Sequence, residues 1–301
     1  MILVATCSEY PHPTPNLEAL LKALRALGMD ADHRPWKTAP VAAFAEAEAV
    51  LPLCCWDYYD DPAAFLAWID ALDARGARLI NDPSLLRWNF RKTYLLELAK
   101  AGLPVPTTFH LPQASRDAVE RIMEMQGWQV AVLKPVSSQS GHGVRKLDRA
   151  ERDRWSLDRS GTDMLLQEFQ PDIASLGETT LTFIDGAFSH AVRRVLKPGE
   201  WRANPQFGIT YEPIAASRDM IDAGASYLAS LPQTPLYARV DGIARPNGFM
   251  LNELELIDPY LYLEFAPGSA ERMAQALLRR IGERDAERHP ASLSHHRLTL
   301  S

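Results

Sequence analysis

Within its first 80 residues the chain switches repeatedly between two periodicities, and that switching limits the folds open to it. "ILVAT" (2–6) is an unbroken apolar run, the pattern of a strand buried on both faces. "NLEALLKALRALG" (16–28) repeats its apolar residues at helical spacing, with Asn16 as the expected cap and Gly28 as the stop. "DADHRPW" follows, then "AVLPLCCW" as a second buried strand, "PAAFLAWIDALDARG" as a second helix, and "ARLIN". Buried strands alternating with helices predict a small doubly wound α/β unit around a parallel sheet. Ligands meet such sheets at the carboxyl ends of the strands, which here lead into "CSEYPHP" and "WDYYDD".

The pattern changes after residue 80. "DPSLLRWNFRKTYLLELAKAG" reads as one helix, opened by Asp82 and Pro83 and closed by Gly102. "LPVPTTFHLP" is a linker into a strand, and residues 115 to 165 predict a helix, a strand bearing Lys134, a loop and another strand. Strand patterns then dominate: "DMLLQEFQ", "ETTLTFIDG", "AFSHAVRRVL", "PLYARVDGIAR" and "GFMLNELELI". Asp-Gly inside "FIDGAF" signals a hairpin. Helices are expected around 217–230 and near 269–284, and the tail "RHPASLSHHRLTLS" has no apolar period, so mobility is expected there.

Charge narrows the partners. Lysine and arginine total 32 against 38 acidic residues, a net charge of -6, which repels a polyanion and argues against nucleic acid. Any phosphate must be handled locally, on a small ligand and with a metal. Cys7, Cys54 and Cys55 offer neither a disulfide framework nor metal-ligand spacing, and are expected to pack as small apolar residues. The N-terminal apolar run is too short for a signal peptide, and no stretch is long enough to span a membrane, so a cytoplasmic protein is expected.

"AVLKPVSSQSGHGVRKLD" (131–148) sets a lysine in a strand pattern and follows it with a loop of small residues. It is no Walker loop, because Lys134 precedes the glycines; nor a dinucleotide fingerprint, because Lys146 stands where the third glycine belongs. Taken alone, Lys134 reads as a strand-edge lysine with its head in water. Farther on, Glu253 and Glu255 lie two apart on one strand and share a face, with Leu254 and Leu256 opposite. With Asp241 on a neighbouring strand, three carboxylates would converge as the oxygen-rich set that Mg2+ prefers. A solvated face with the glutamates paired to arginines is the other open reading.

The order of these elements adds information: a helix carrying Lys92, "VLKP" with its loop, "LLQEF", the arginines of "AVRRV" and "GEWRANPQFG", then Asp…Glu-x-Glu. Over about residues 85–260 this order resembles the ATP-grasp superfamily, in its glutathione-synthetase and RimK-like branch. "WNFRKTYLLELAKAGLPVPT" and "NELELIDP" look closest to the subgroup that includes the D-cycloserine-forming cyclo-ligase. The resemblance implies an α/β (α+β) fold: an N-terminal substrate domain (1–84), a linker helix and central lobe (85–165), a C-terminal lobe with a largely antiparallel sheet and the metal site (166–288), and the tail (289–301). Glu255 stands where relatives often carry asparagine, and Arg91 where they often carry an acid.

The resemblance also implies roles. Lys92 and Lys134 would hold the ATP phosphates, under a loop including Ser140, Gly141, His142 and Gly143. Gln167, Glu168 and Phe169 would form the adenine hinge, Glu178 would take the ribose, and Asp241, Glu253 and Glu255 would ligate Mg2+. Arg194, Arg202 and Asn204 would contact phosphate and the acyl intermediate. The implied reaction activates a small carboxylate as an acyl phosphate for attack by an amine, within one molecule or between two. A phosphotransferase and a non-catalytic nucleotide-binding module are the rival classes. Glu9, Tyr10, Trp56, Asp57 and Tyr58 are candidate substrate contacts, the aromatics by stacking and Asp57 through an ammonium. Trp56 and Tyr58 read equally as domain-packing aromatics, and His12 as a surface residue. A homodimer, common among relatives, is a further expectation.

Overall fold

The computed structural model describes residues 1–9, 12–156, 163–246 and 248–288, with side chains to 283. Tyr10 and the tail from 289 lie outside the described residues. The N-terminal unit comprises β1 (Ile2–Thr6), α1 (Pro15–Ala26), β2 (Ala31–Pro35), α2 (Val41–Ala45), β3 (Ala49–Cys54) and α3 (Pro62–Asp73). Its three strands are parallel in the order β2-β1-β3. "DADHRPW" thus supplies the edge strand, while "ARLIN" makes only one bridge, Leu79 to Val50. Thr14, not Asn16, caps α1, its Oγ1 accepting from the Leu17 N–H at 3.4 Å. Asn16 is buried instead and accepts from the Leu263 N–H.

Alternation along β1 explains why every residue of it is apolar or small. Ile2 and Val4 pack toward α1, and Leu3 and Ala5 toward Phe44, Phe65 and Trp68 on the opposite face. The last helix, α9 (Ser269–Arg288), returns to this unit: Met273, Ala274 and Leu277 join the cluster of Ile2 and Val4. The three cysteines are buried and form no disulfide, as the sequence suggests.

The predicted single helix after residue 82 is two, α4 (Pro83–Asn89) and α5 (Tyr94–Lys100), capped by Asp82 and ended by Gly102 at φ +81°. The break lets the Lys92 N–H donate to Val136 O at 2.8 Å, tying this segment to the Lys134 strand. The central lobe has β4 (Thr108–Leu111), α6 (Arg116–Met125), β5 (Val130–Pro135), β6 (Arg145–Asp148) and β7 (Met164–Glu168), with sheet order β4-β7-β5-β6. Because β7 pairs with β4 and β5, this lobe extends through Glu168, beyond the expected junction at 165/166.

The C-terminal lobe begins with α7 (Ile173–Leu176) and contains β8 (Glu178–Ile184), β9 (Ala187–Val195), β10 (Thr210–Ile214), α8 (Arg218–Ala229), β11 (Tyr237–Arg245) and β12 (Gly248–Glu255). Its five strands are antiparallel in the order β10-β9-β8-β11-β12, and β10 was not visible in the sequence pattern. Asp185 and Gly186 turn the β8–β9 hairpin at φ +53° and +76°, as Asp-Gly predicts. One face carries Leu181, Val240 and Leu254 into a core with Tyr94, Leu95 and Tyr227. The opposite face is polar and looks into the cleft between the lobes. Among the described residues no helix is long and apolar enough to cross a membrane.

β12 is an edge strand, and side chains rather than another strand cover part of it. Asn89 donates from Nδ2 to Leu254 O at 2.8 Å and accepts the Leu256 N–H on Oδ1 at 2.9 Å. Tyr94 Oη exchanges both hydrogen bonds with Leu254, and Asn81 Nδ2 donates to Leu256 O. This edge positions Glu253 and Glu255, so its integrity matters to the site. Asn89→Ala orphans the buried Leu256 N–H and should lower stability by ~1–3 kcal/mol, seen as a reduced urea midpoint with unchanged slope. A wild-type midpoint would contradict this account of the edge.

Candidate active site

The charged floor of the cleft follows from strand period and one bulge. On β11, Ala238 and Val240 face the core, so Arg239 and Asp241 face the cleft. Asp241 pairs with Glu253 across the ladder and Arg239 with Glu255, which confirms that Asp241 neighbours the two glutamates. Gly242 then pairs with Leu251, so Asn252 is an extra residue on β12. The bulge brings Asn252 and Glu253, adjacent in sequence, to the same cleft wall. Gly242 suits it, since a Cβ there would lie 2.4 Å from Met250 O.

Each carboxylate has a cation of the chain beside it. Asp241, 1% exposed, accepts from Arg194 at 2.8 Å, from Arg239 at 2.9–3.1 Å and from Thr180 Oγ1 at 2.9 Å. Glu253 pairs with Lys92, and Glu255 with Arg239. Glu178 binds Arg194 Nη1 at 2.6 Å and Asn252 Nδ2 at 2.5 Å. Burial, with Asp241 and Glu253 nearby, pushes Glu178 up to about 7; burial with the same two neighbours pushes Glu255 up to about 7. Lys134 is drawn down to about 8, chiefly by burial, with Lys92 contributing.

Around this floor lies an open cleft of about 990 Å³. Lys92, Lys134, Glu178, Glu253 and Glu255 line its base, Gln167, Glu168 and Phe169 its hinge side, and Ser140, Gly141, Arg194, Arg202 and Asn204 the remaining wall. Segments far apart in sequence therefore converge. The Gln167 side chain is buried and donates to Thr108 Oγ1 at 2.9 Å, and the Lys146 ammonium sits 4.4 Å from the Phe169 ring centre. Arg202 is folded onto Glu200, holding that carboxyl down to about 2, and covers the Phe207 ring at 3.5 Å. Gly141 has φ +70°, and a Cβ on it would meet Asn204 Oδ1 at 2.7 Å, so the loop packs closely against that wall.

Other expected site residues lie away from the cleft lining or are held by partners within the chain. Asp241 lies beneath the cleft lining with its oxygens taken by two arginines and Thr180, and among the described residues no three-acid group is arranged to hold a metal. Two carboxylates, Glu253 and Glu255, remain on the cleft wall. His142 is exposed and stacks on Tyr59 with ring centres 5.0 Å apart, and neither it nor Gly143 lines the cleft. Asp57 is buried, accepting from Trp36 Nε1 at 2.6 Å and pairing with the Lys37 ammonium at 3.2 Å, and it lines neither cavity. Tyr58 is buried against Phe65 and accepts from Gln139 Nε2 at 2.6 Å, a packing role. Glu9 is exposed and lines neither cavity.

A second cavity, about 1130 Å³ with its mouth, adjoins the first, and Ser140, Arg194, Asn204 and Glu255 line both. Trp56, Tyr211, Tyr260, Tyr262 and Phe265 give it aromatic walls. Of these only Trp56 is a candidate from the sequence, and neither Arg239 nor Asn252 is. Period two from Asp241 would have found Arg239; the bulge that turns Asn252 has no short-range signal.

Known proteins agree with this geometry. Residues 2–81 match the family "D-cycloserine synthetase DcsG, N-terminal domain", and residues 101–229 match "Prokaryotic glutathione synthetase, ATP-grasp domain". The chain is 31% identical over 285 residues to the cycloserine biosynthesis protein DcsG of Streptomyces lavendulae, covering 88% of this chain and 94% of that one. It is similar to the crystal structure of D-cycloserine synthetase DcsG, with TM-score 0.83 and 28% identity over 93% of this chain and 99% of that one. A RimK domain ATP-grasp protein of Sphaerobacter thermophilus DSM 20745 shares the fold at TM-score 0.70 and 16% identity, over 91% and 98% of the two chains. Fold and site thus define an ATP-grasp enzyme, an ATP-dependent ligase. Within that class the chain belongs to the family of the D-cycloserine synthetase DcsG.

The network around Asp241 gives a stability test. Arg194→Met leaves Glu178 and half of Asp241 without their cation, and should cost about 3 kcal/mol in urea unfolding. An unchanged midpoint would show that Arg194 does not balance those buried charges.

Proposed function

We propose that this ligase activates the carboxylate of a small amino-acid-type substrate as an acyl phosphate and closes it on an amine of the same molecule. The product would be a small ring of secondary metabolism, and similarity to a D-cycloserine synthetase makes D-cycloserine or a close analogue the product to test first. The observation that carries the reading is the wall shared by the two cavities. ATP in the cleft would place its terminal phosphate toward Arg194 and Asn204, and a substrate in the aromatic cavity would present its carboxylate from the other side.

Lys92 and Lys134 would meet the phosphates, and Glu168 and Phe169 the adenine. Glu178 stays assigned to the ribose side, although both its oxygens are engaged by Arg194 and Asn252. The all-oxygen, anionic pair Glu253 and Glu255 fits Mg2+, which commonly takes one or two carboxylates and completes its shell with phosphate and water. Bound there, Mg2+ would neutralise phosphate charge. Lys92, released from Glu253, would be free to turn to the nucleotide. The substrate carboxylate oxygen attacks the γ-phosphorus and ADP leaves; the amine then attacks the acyl carbon and phosphate leaves. Arg194, Asn204 and Arg202 would orient these groups and meet the developing charge, so no side-chain nucleophile is required.

Two outcomes test the reading. With a panel of amino acids and small acids, ATP and hydroxylamine should give ADP together with a hydroxamate, and Glu253→Gln should cut this at least ~100-fold with unchanged circular dichroism. ADP without hydroxamate would indicate phosphotransfer, and normal turnover in the variant would remove the metal assignment. Separately, Lys134 is charged below about 8 and neutral above it. Affinity for a non-hydrolysable ATP analogue should therefore fall above that pH, by up to ~10-fold per unit. Lys134→Met should bind weakly without that limb; a wild-type profile flat to pH ~10 would contradict the contact.

A further inference from the structure

The aromatic cavity carries an exposed carboxylate that no cation of the described residues pairs with. Glu264 lines it, and its carboxylate accepts a hydrogen bond from Tyr260 Oη at 2.5 Å. Among the described residues no lysine, arginine or histidine pairs with Glu264, whereas Glu178, Asp241, Glu253 and Glu255 all have a cationic partner. The neighbouring cations are committed elsewhere: Arg239 to Asp241 and Glu255, Arg194 to Asp241 and Glu178.

Aromatic rings line the same cavity. Tyr260 stacks on Trp56 at 6.2 Å and meets Tyr262 edge-on at 5.1 Å; Tyr262 meets Phe265 at 6.1 Å. The pieces are fixed from outside the cavity. Trp56 Nε1 donates to Asp258 O at 2.9 Å, Tyr260 O accepts from Arg239 at 3.1 Å, and Tyr262 Oη accepts from Arg194 Nε at 3.1 Å. Tyr262 stands at φ +58°, a left-handed backbone uncommon for a bulky residue, held by this packing. The Tyr262 ring already has Arg194 and Arg239 each 5.9 Å from its centre, so the Trp56 and Tyr260 rings are the ones left to a ligand. A carboxylate without a cationic partner, in the same cavity as those rings, favours one ligand chemistry, an organic ammonium, by charge-assisted hydrogen bonding and cation–π attraction.

We propose that Glu264, oriented by Tyr260 in the cavity that Trp56 also lines, is the specificity determinant that binds the ammonium of the substrate while its carboxylate points to Arg194 and Asn204. The proposal rests on the aromatic cavity being the acceptor site. Tyr262 links the two ends, touching Arg194 with its hydroxyl and Tyr260 with its ring. The substrate would then be a zwitterion whose charged amine is recognised, and the amine that closes the ring would be a different nitrogen. A substrate lacking the ammonium would leave Glu264 unpaired and bind less tightly.

Calorimetry on the enzyme loaded with Mg-ADP tests this with matched probes: D-cycloserine and D-serine, each against its N-acetyl derivative. The wild type should bind at least one free amine about 10-fold or more tightly than the acetylated partner. Glu264→Gln should lose that preference while leaving the acetylated ligand and Mg-ADP unaffected, Glu264→Asp should regain part of it, and Tyr260→Phe should weaken it. Equal preference in wild type and Glu264→Gln, or no binding of either amine by wild type, overturns the ammonium site. Failure of wild type to bind Mg-ADP would instead strike the ligase reading, since Glu264 lies outside the nucleotide cleft.

Discussion

Two arginines share one buried carboxylate, and the rest of the site is arranged about that contact. Asp241 holds Arg194 and Arg239 together beneath the cleft floor. Arg194 reaches on to Glu178 and Tyr262, and Arg239 to Glu255 and the Tyr260 carbonyl. One buried ion cluster thus borders the cleft and the aromatic cavity at once. Buried ions are costly unless paired and hydrogen-bonded, and here the partners come from β8, β9, β11 and β12. The demand for charge balance fixes those four strands relative to each other. Asp241, a candidate ligand by sequence, is the carboxylate on which both arginines converge.

The same wall serves two purposes because strands present alternate residues to opposite faces. Leu254 and Val240 belong to the hydrophobic core, while their neighbours Glu253, Glu255, Arg239 and Asp241 make the polar floor. Packing energy on one face therefore holds the chemistry on the other. Asn89 and Tyr94, on the helices that flank Lys92, satisfy the backbone of β12, so the lysine and the glutamate it pairs with are positioned by one piece of structure. α9 closes the arrangement by returning to the N-terminal sheet, placing Tyr260, Tyr262 and Glu264, just before it, near the end of β3 where Trp56 lies.

Much of this was legible in the sequence wherever a local period or a charge in a strand carried it. β1, β3, α1 and α3, the Asp185–Gly186 hairpin, and the shared face of Glu253 and Glu255 all follow from spacing. What escaped depended on tertiary partners. The break at Lys92 is stabilised by a hydrogen bond to Val136, 44 positions along, and the pattern of apolar residues runs through it unchanged. β2 and β10 are half-exposed edges with mixed composition. Asp57 and Tyr58 sit in the loop where ligands usually meet such a sheet, yet Trp36 and Phe65 bury them. The aromatic cavity is assembled from positions 56, 211 and 260–265, with no motif to announce it.

In the proposed reaction the two cavities meet at the point of phosphoryl transfer. A structure with Mg2+ and a non-hydrolysable ATP analogue tests it most directly. The account predicts the metal on Glu253 and Glu255, Lys92 turned from Glu253 to the phosphates, and the terminal phosphate against Arg194 and Asn204, facing the aromatic cavity. A terminal phosphate directed away from that shared wall, or a metal bound away from both glutamates, would contradict it.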